Sequence, residues 1–378
     1  MKGHFRKRGS KWTFVLDLGR DEKTGKRKQK WFSGYNTKKE AEKACAKIIA
    51  ELSEGKYKEE STQTIQDFIL DFMETQVKPS TRITTYNNQI FIVNKHILPE
   101  LGPMQLNKLT PAKLQRFYAK KSKEGLAASY IRSMHAILSK AFRTAVTWGL
   151  LEKNVVALVK PPRIETRDIS IWTMEEAQEF LSFAEDRKFF IAYVLAIYTG
   201  MRRGEILGLR WRDCDLERGT VSIQQTVYKS NNEILIQEPK TKGSKRTITL
   251  PDYAISCLKK HRVRQNEYKL RLGSAYTDHD LVMANWNGTP VDPADINKDF
   301  AYAIKKAGLP RIRFHDLRHT HATILLRLGE NPKVVSERLG HAEVGITLDT
   351  YSHVLPDMQK NLAQNFEIAM KEVKKKRS

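Results

Sequence analysis

Four short stretches in the C-terminal half carry side chains suited to handling a phosphate or a proton. Thr199-Gly-Met-Arg202-Arg-Gly-Glu205-Ile ends an apolar run with an arginine in a glycine-flanked turn. An arginine held there clamps a phosphate through two parallel hydrogen bonds, which lysine does not match. Taken alone, Arg202 beside Glu205 also reads as an ordinary surface or capping pair. In His315-Asp-Leu-Arg318-His-Thr-His321, His315 and Arg318 fall one helical turn apart on one face. That joins a fixed cation to a group that moves protons near neutral pH. The same stretch admits a metal reading: His315 and His319 have the i, i+4 spacing of a zinc pair, but His319 and His321 point to different faces and zinc wants a third ligand. Leu339-Gly-His341 follows, and ten residues beyond His341 stands Tyr351, within Asp349-Thr-Tyr351-Ser-His353. A phenol titrates near pH ~10, so it needs activation before it attacks anything; a lone tyrosine is otherwise packing.

The surrounding pattern predicts what holds these residues. From about residue 165 the chain is mixed. Thr173-Met-Glu-Glu176 has the form of a capping box at a helix start. Phe189 to Tyr198 is a continuous apolar run, which predicts a buried helix. Strands are expected at Thr220 to Val227, Glu233 to Gln237 and Arg246 to Leu250, and helices beginning at Pro251, near His315 and at Pro332. Lys371 to Ser378 is a basic tail.

Ahead of this segment, Lys160-Pro-Pro-Arg-Ile is a linker signal. Residues 62 to 160 read as all-helical. Ile65, Phe68, Ile69 and Phe72 form one stripe, and Tyr86, Ile90 and Val93 extend a second helix. Thr110-Pro111 is an N-cap with proline at the first helical position, backed by Leu114, Phe117 and Tyr118. Tyr130 to Trp148 is a longer helix using Ile131, Met134, Leu138, Phe142 and Ala145. These stripes read as core.

Residues 1 to about 58 hold 17 Lys or Arg against 7 Asp or Glu, a local charge density that favours nucleic acid. Trp12-Thr-Phe-Val-Leu-Asp-Leu alternates like a strand, Asp21-Glu-Lys-Thr-Gly is a turn, and Lys28-Gln-Lys-Trp-Phe returns. Thr37-Lys-Lys-Glu40 is a second capping box, opening a helix on Ala41, Ala44, Cys45, Ile48 and Leu52 with Gly55 as its stop. A short basic sheet backed by one helix suits a DNA groove, and Arg6, Lys7, Arg8, Lys26, Arg27, Lys28 and Lys30 are its candidate contacts. The alternative is a solvated basic hairpin with no specific partner.

Composition narrows the classes. With 378 residues, two or three domains are expected at roughly 100–200 residues each. A formal net charge of +23 favours a polyanionic partner, either nucleic acid or an acidic membrane surface. The longest apolar run is shorter than the ~20 residues of a membrane helix, and Met1-Lys-Gly-His-Phe-Arg-Lys-Arg has no apolar segment behind it, as a secretory signal would. Three widely separated cysteines give neither a disulfide framework nor a zinc pair, so a reduced, cytoplasmic protein is expected. No Gly-rich phosphate loop of the Walker or dinucleotide type occurs, so no nucleotide cofactor is expected.

Taken together and in this order, Arg202, His315-x-x-Arg318, His341 and Tyr351 resemble the tyrosine recombinase (phage integrase) family. The contexts Thr-Gly-Met-Arg, His-Asp-Leu-Arg-His-Thr, Leu-Gly-His and Asp-Thr-Tyr-Ser-His match as well. The resemblance covers residues 165 to 360. The first 160 residues resemble, by pattern, the integrases of temperate phages and integrative conjugative elements. It implies an α+β multidomain chain: an arm-site DNA-binding domain at 1–58 (a small three-stranded sheet plus helix), an all-helical core-binding domain at 62–160, and a catalytic domain at 165–378 that is mainly helical with a small antiparallel sheet.

The resemblance also implies roles. Tyr351 is the nucleophile that forms a 3′-phosphotyrosyl bond and releases a 5′-hydroxyl. Arg202 and Arg318 stabilise the charge developing on the phosphate, His315 is the general base, and His341 donates a hydrogen bond. Glu205 orients the arginines, and His353 is a local support. The family's hairpin lysine, which protonates the leaving oxygen, falls within Glu238-Pro-Lys240-Thr-Lys242-Gly-Ser-Lys-Arg246; Lys240 fits best, and Lys242, two residues on and on the same strand face, is the alternative. No metal or other cofactor is implied. Four protomers on duplex core sites, and an excisionase or a host DNA-bending protein, are the implied partners. The stripe Leu362, Phe366, Ile368 and Met370 either docks on a neighbouring protomer or packs on its own domain. Two rival classes remain open: a type IB topoisomerase, and a DNA-binding regulator without catalysis.

Overall fold

Alternation in the first 35 residues builds an antiparallel sheet of β1 (His4–Arg8), β2 (Lys11–Arg20) and β3 (Arg27–Tyr35), in that order. The computed structural model describes residues 3–20, 27–53, 63–164, 170–230, 233–238, 245–341, 343–350, 363 and 366–367. It divides into two compact units, Met1–Glu165 and Thr166–Ser378.

In the first sheet the register pairs Phe5 with Phe14 and Phe14 with Phe32, so three aromatic rings share one face. The helix Lys38–Ser53 buries that face with Ala41 and Cys45, and Phe14 and Leu16 become inaccessible. Its start follows the expected capping box: the Glu40 amide donates to Thr37 Oγ1 at 3.2 Å, while Glu40 Oε2 accepts from the Thr37 amide at 3.4 Å and from the Asn36 amide at 2.9 Å. Period-two geometry sends Arg6 and Arg8 to the opposite face. The turn at Asp21 to Gly25 lies outside the described residues.

The helical part of the first unit follows its stripes but not as continuous α-helices. Ile65–Phe72 runs into a π-turn at Met73–Val77, and Ile83–Ile92 into another at Val93–Ile97. The cause is proline. Pro79 and Pro99 lack an amide hydrogen, and in an α-helix their rings would press on the carbonyls four residues back. The wider turn relieves this, with the Lys78 amide bonded to the Met73 carbonyl and the Leu98 amide to that of Val93. Helices Pro111–Lys123 and Ala128–Thr147 complete the bundle. Phe68, Phe72, Leu114, Met134, Leu138 and Phe142 fill its core, each such side chain contributing about 1.5–3 kcal/mol on burial.

The second unit is organised around Phe190–Thr199, which is buried on nearly every side. Trp172, Phe180 and Phe300 pack against it, Phe180 and Phe300 on its Tyr193 ring, with Phe300 supplied by the helix Pro293–Ala307. The capping box at Thr173 and Glu176 opens Met174–Ala184 as expected. The strand expected over Thr220 to Val227 is instead two: β5 (Thr220–Ile223) pairs between β4 (Cys214–Asp215) and β8 (Arg246–Thr249), and β6 (Thr226–Ser230) pairs with β7 (Glu233–Gln237). The short helix Arg203–Gly208 forces the break by lying against this bend. A Cβ on Gly204 would meet Thr226 Oγ1 at 2.4 Å, and Gln225 gives its side-chain amide to the Gly208 carbonyl. Among the described residues no helix is long and apolar enough to cross a membrane.

Candidate active site

Two left-handed glycines frame the site. Gly200 ends the buried helix Phe190–Thr199 at φ 65°, and Gly340 ends Pro332–Leu339 at φ 69°. Both turns are also too tight for a side chain. A Cβ on Gly200 would stand 2.6 Å from the His321 ring, and one on Gly340 would stand 2.8 Å from Arg246 NH1. Their carbonyls accept from the two arginines singled out in the sequence, crosswise between motifs. Arg318 NH1 donates to Gly200 O at 2.8 Å, and Arg202 NH2 donates to Gly340 O at 3.2 Å. The sequence distance between Arg202 and Arg318 is thereby closed into one cationic cluster. Arg318 is 3% exposed, while the Arg202 side chain, at 37%, faces solvent.

Glu205 sits beneath Arg202. It accepts from the Arg202 amide at 2.9 Å and from Arg202 NH1 at 2.8 Å. Arg246, on β8, donates through NH2 and NH1 to both Glu205 oxygens at 2.9 and 3.2 Å. Burial alone would raise the Glu205 carboxyl; the Arg246 hydrogen bonds and the charges of Arg246 and Arg202 outweigh it and hold the group below the ordinary carboxylate range. Glu205 is therefore a buried carboxylate shared between two guanidinium groups.

His315 is the residue that starts the helix Asp316–Arg327, and Arg318 is in its first turn. Asp316 is held by Arg313, whose amide and guanidinium both donate to it. Desolvation, then the charge of Arg318, lowers His315 below the usual imidazole range, so the ring is neutral at neutral pH. His341 is lowered to about 4, first by burial and then by the charges of Arg318 and Arg202. Its Nδ1 meets Thr347 Oγ1 at 2.7 Å. If Thr347 donates there, Nε2 carries the proton and is turned into a donor.

His319 stands edge-on to His315 at 5.3 Å between ring centres and is depressed to about 4 by burial and by His315. His321 faces elsewhere. Arg338 Nε donates to His321 Nε2 at 3.2 Å, so Nδ1 carries the hydrogen and donates to Ile197 O at 2.8 Å. Both nitrogens of His321 are committed, tying its own helix to two others. Among the described residues no group of three His, Cys, Asp or Glu is placed to hold a metal ion.

Tyr351, His353, Lys240, Lys242 and Lys26 lie outside the described residues, as do the side chains of Arg27 and Lys28. Of the stripe after Tyr351, Phe366 is described and is exposed. The remaining basic candidates of the first sheet, Arg6, Lys7 and Arg8, are exposed, with the Arg8 guanidinium 4.8 Å over the Trp31 ring; Lys30 is half-buried, 5.7 Å over Phe32. The structure brings together Arg202, Glu205, His315, Arg318 and His341. It adds Arg246 and Thr347, which sequence reasoning did not assign. Arg246 closes the hairpin in which the lysine was sought, so its place in sequence was a signal; a threonine six residues after His341 was none.

A mixed α+β unit with clustered arginines and neutral histidines, a helical segment and a small basic sheet are the architecture of a multidomain DNA-handling protein. The phage integrase family model matches residues 172–358, an arm DNA-binding domain model residues 4–52, and a phage integrase N-terminal SAM-like domain model residues 64–122. A XerC-like tyrosine recombinase of Caldanaerobacter subterraneus subsp. tengcongensis is 31% identical over 96% of this chain and 97% of its own length. The chain belongs to the phage integrase family of tyrosine recombinases, and site-specific recombination is its general activity.

The ICEBs1 integrase of Bacillus subtilis is 29% identical over 88% of the chain and 90% of that protein. Among solved structures, the Tn1549 transposon integrase in complex with a circular intermediate DNA aligns with a TM-score of 0.68 at 20% identity, covering 80% of this chain and 99% of that one. A lambda integrase dimer bound to a COC′ core site gives 0.59 at 21%, covering 92% and 94%. These likenesses establish the α+β multidomain fold.

Proposed function

We propose that this chain integrates and excises a mobile element or prophage by cutting and rejoining duplex DNA through a 3′-phosphotyrosyl bond on Tyr351. The observation that carries the reading is the crosswise clamp, Arg318 on Gly200 O and Arg202 on Gly340 O. It fixes two guanidinium groups in one place before any phosphate arrives, and such preorganised donors are the largest single contribution to stabilising developing charge.

In the proposed step the Tyr351 oxygen attacks the scissile phosphorus, and the phenolic proton passes to neutral His315. The bond from phosphorus to the 5′-oxygen breaks, and that oxygen takes a proton from Lys240, or Lys242. Arg202, Arg318 and the Nε2–H of His341 hold the non-bridging oxygens. A 5′-hydroxyl from the partner duplex reverses each transfer and releases the tyrosine. The phosphodiester's energy stays in the protein–DNA bond, so the cycle calls for no cofactor.

The remaining chain is assigned to substrate: residues 1–58 to arm-type sites through the solvent face of the basic sheet, residues 62–160 to the core site, and 165–378 to catalysis. The relatives solved on DNA, a lambda integrase dimer on a core site and a tetramer on a Holliday junction among them, support four protomers acting on two core sites; an excisionase or a host bending protein is a further partner of the proposed reaction. Sequencing the DNA beside the gene supplies the test substrate, because an integrated element ends in a direct repeat. Two separate duplexes carrying that repeat should yield recombinant joints. Relaxation of supercoils without joints would make the chain a type IB topoisomerase, and DNA binding without either would make it a regulator.

A further inference from the structure

Arg246 closes the hairpin of candidate lysines yet its side chain lies inside the site, 7% exposed beside a Glu205 side chain at 5%. Its three nitrogens are all engaged: NH2 and NH1 on the two Glu205 oxygens, and Nε on the Arg338 carbonyl at 2.6 Å. Gly340 leaves room for it, since a Cβ there would press on NH1. One side chain thus links β8, the carboxylate under Arg202, and the turn that leads into His341.

The charges give this geometry a purpose. Arg202 and Glu205 alone sum to zero, and a carboxylate 2.8 Å from the guanidinium would cancel much of the field Arg202 presents to a phosphate. With Arg246 the trio carries +1. The two buried members neutralise each other, and the exposed Arg202 keeps its charge while Glu205 still fixes its direction. We propose that Arg246 is a positioning residue for the recombination reaction, neutralising Glu205 so that Glu205 aims Arg202 at the scissile phosphate without cancelling its charge. This rests on the assignment of Arg202 to that phosphate.

The test uses the full chain and a nicked core-site substrate that traps the cleaved state. Cleavage at saturating protein is compared for wild type, Arg246→Met, Glu205→Gln and the double variant, with DNA affinity and melting temperature measured alongside. Arg246→Met should cleave about 10²-fold more slowly, the scale of losing one preorganised donor, while DNA affinity stays nearly unchanged, because Arg246 is buried against Glu205 and does not face the DNA. Adding Glu205→Gln to Arg246→Met restores the charge balance and should recover about tenfold of the lost rate, although the double variant lacks the ion pair altogether. A double variant that cleaves no faster than Arg246→Met, or rates that merely follow melting temperature across the set, would overturn the proposal. Arg202→Lys keeps the two failures apart. If it cleaves like the wild type, the assignment of Arg202 has failed; if it is slow and the double variant is not rescued, the role of Arg246 alone has failed.

Discussion

Arg8 and Arg318 carry the same charge in opposite settings. Arg8 lies over Trp31 on the exposed face of the first sheet, with Arg6 and Lys7 also exposed nearby. Arg318 is 3% exposed and donates to Gly200 O, within reach of Arg202 and His341. A solvated cation offers attraction that salt screens, and it reorients with whatever it meets. A buried cation held on a backbone carbonyl is already in place, and its desolvation cost is met on folding, before DNA binds. The first arrangement suits gathering DNA; the second suits stabilising a transition state. Exchange of Arg for Lys should therefore be nearly silent in one region and severe in the other.

The largest effect is expected at the two clamped arginines, buried Arg318 and solvent-facing Arg202. Arg202→Lys and Arg318→Lys should each lose about 10²–10³ in cleavage rate, with affinity for core DNA almost unchanged. Equal losses in rate and affinity would reduce these residues to binding groups and erase the contrast with Arg8. Next comes Lys240→Ala, expected to slow cleavage by about 10² as a lost general acid. A substrate with sulfur at the 5′-bridging position has a better leaving group and should restore the rate. Rescue confined to Lys242→Ala would move the proton donor two residues along.

Deleting residues 1–58 tests the exposed region. The truncated chain should bind arm-type sites weakly, and its slope of log affinity against log salt should be shallower by about 0.9 for each phosphate contact removed. It should still cleave a core site. Unchanged arm binding would leave the N-terminal charge as solvated surface only.

The smallest effect expected is in pH. His315 is lowered from its ordinary 6.5, first by desolvation and then by Arg318. Its neutral form, the one that accepts a proton, therefore persists as pH falls through 6.5. The second-order cleavage constant, which reports the free protein, should stay level from about pH 8 down to 6.5 and decline only below. A decline centred above 6.5 would assign the base to another group.

Much of this was legible in the sequence because it is local. The stripe Ile65, Phe68, Ile69 and Phe72 and the capping boxes at Thr37 and Thr173 depend on neighbours within a few residues, and all three formed as read. The grouping of Arg202, Arg318 and His341 was legible through the order of their motifs. What the sequence hid is set by packing across the chain. The break in the strand after Ile223 comes from the helix Arg203–Gly208 lying on Gln225 and Thr226. The π-turns before Pro79 and Pro99 look, in sequence, like ordinary helix ends. Arg246 and Thr347 matter only because Glu205 and His341 lie beside them.

The central claim, that the fixed arginines and neutral histidines serve a nucleophile at Tyr351, is tested most directly by trapping the covalent intermediate. A nicked core-site substrate, from which the short 5′ fragment diffuses away after cleavage, should accumulate a protein–DNA adduct with the wild-type chain. Tyr351→Phe should bind the same DNA with nearly the same affinity and form no adduct. An adduct of undiminished yield from Tyr351→Phe would contradict the account.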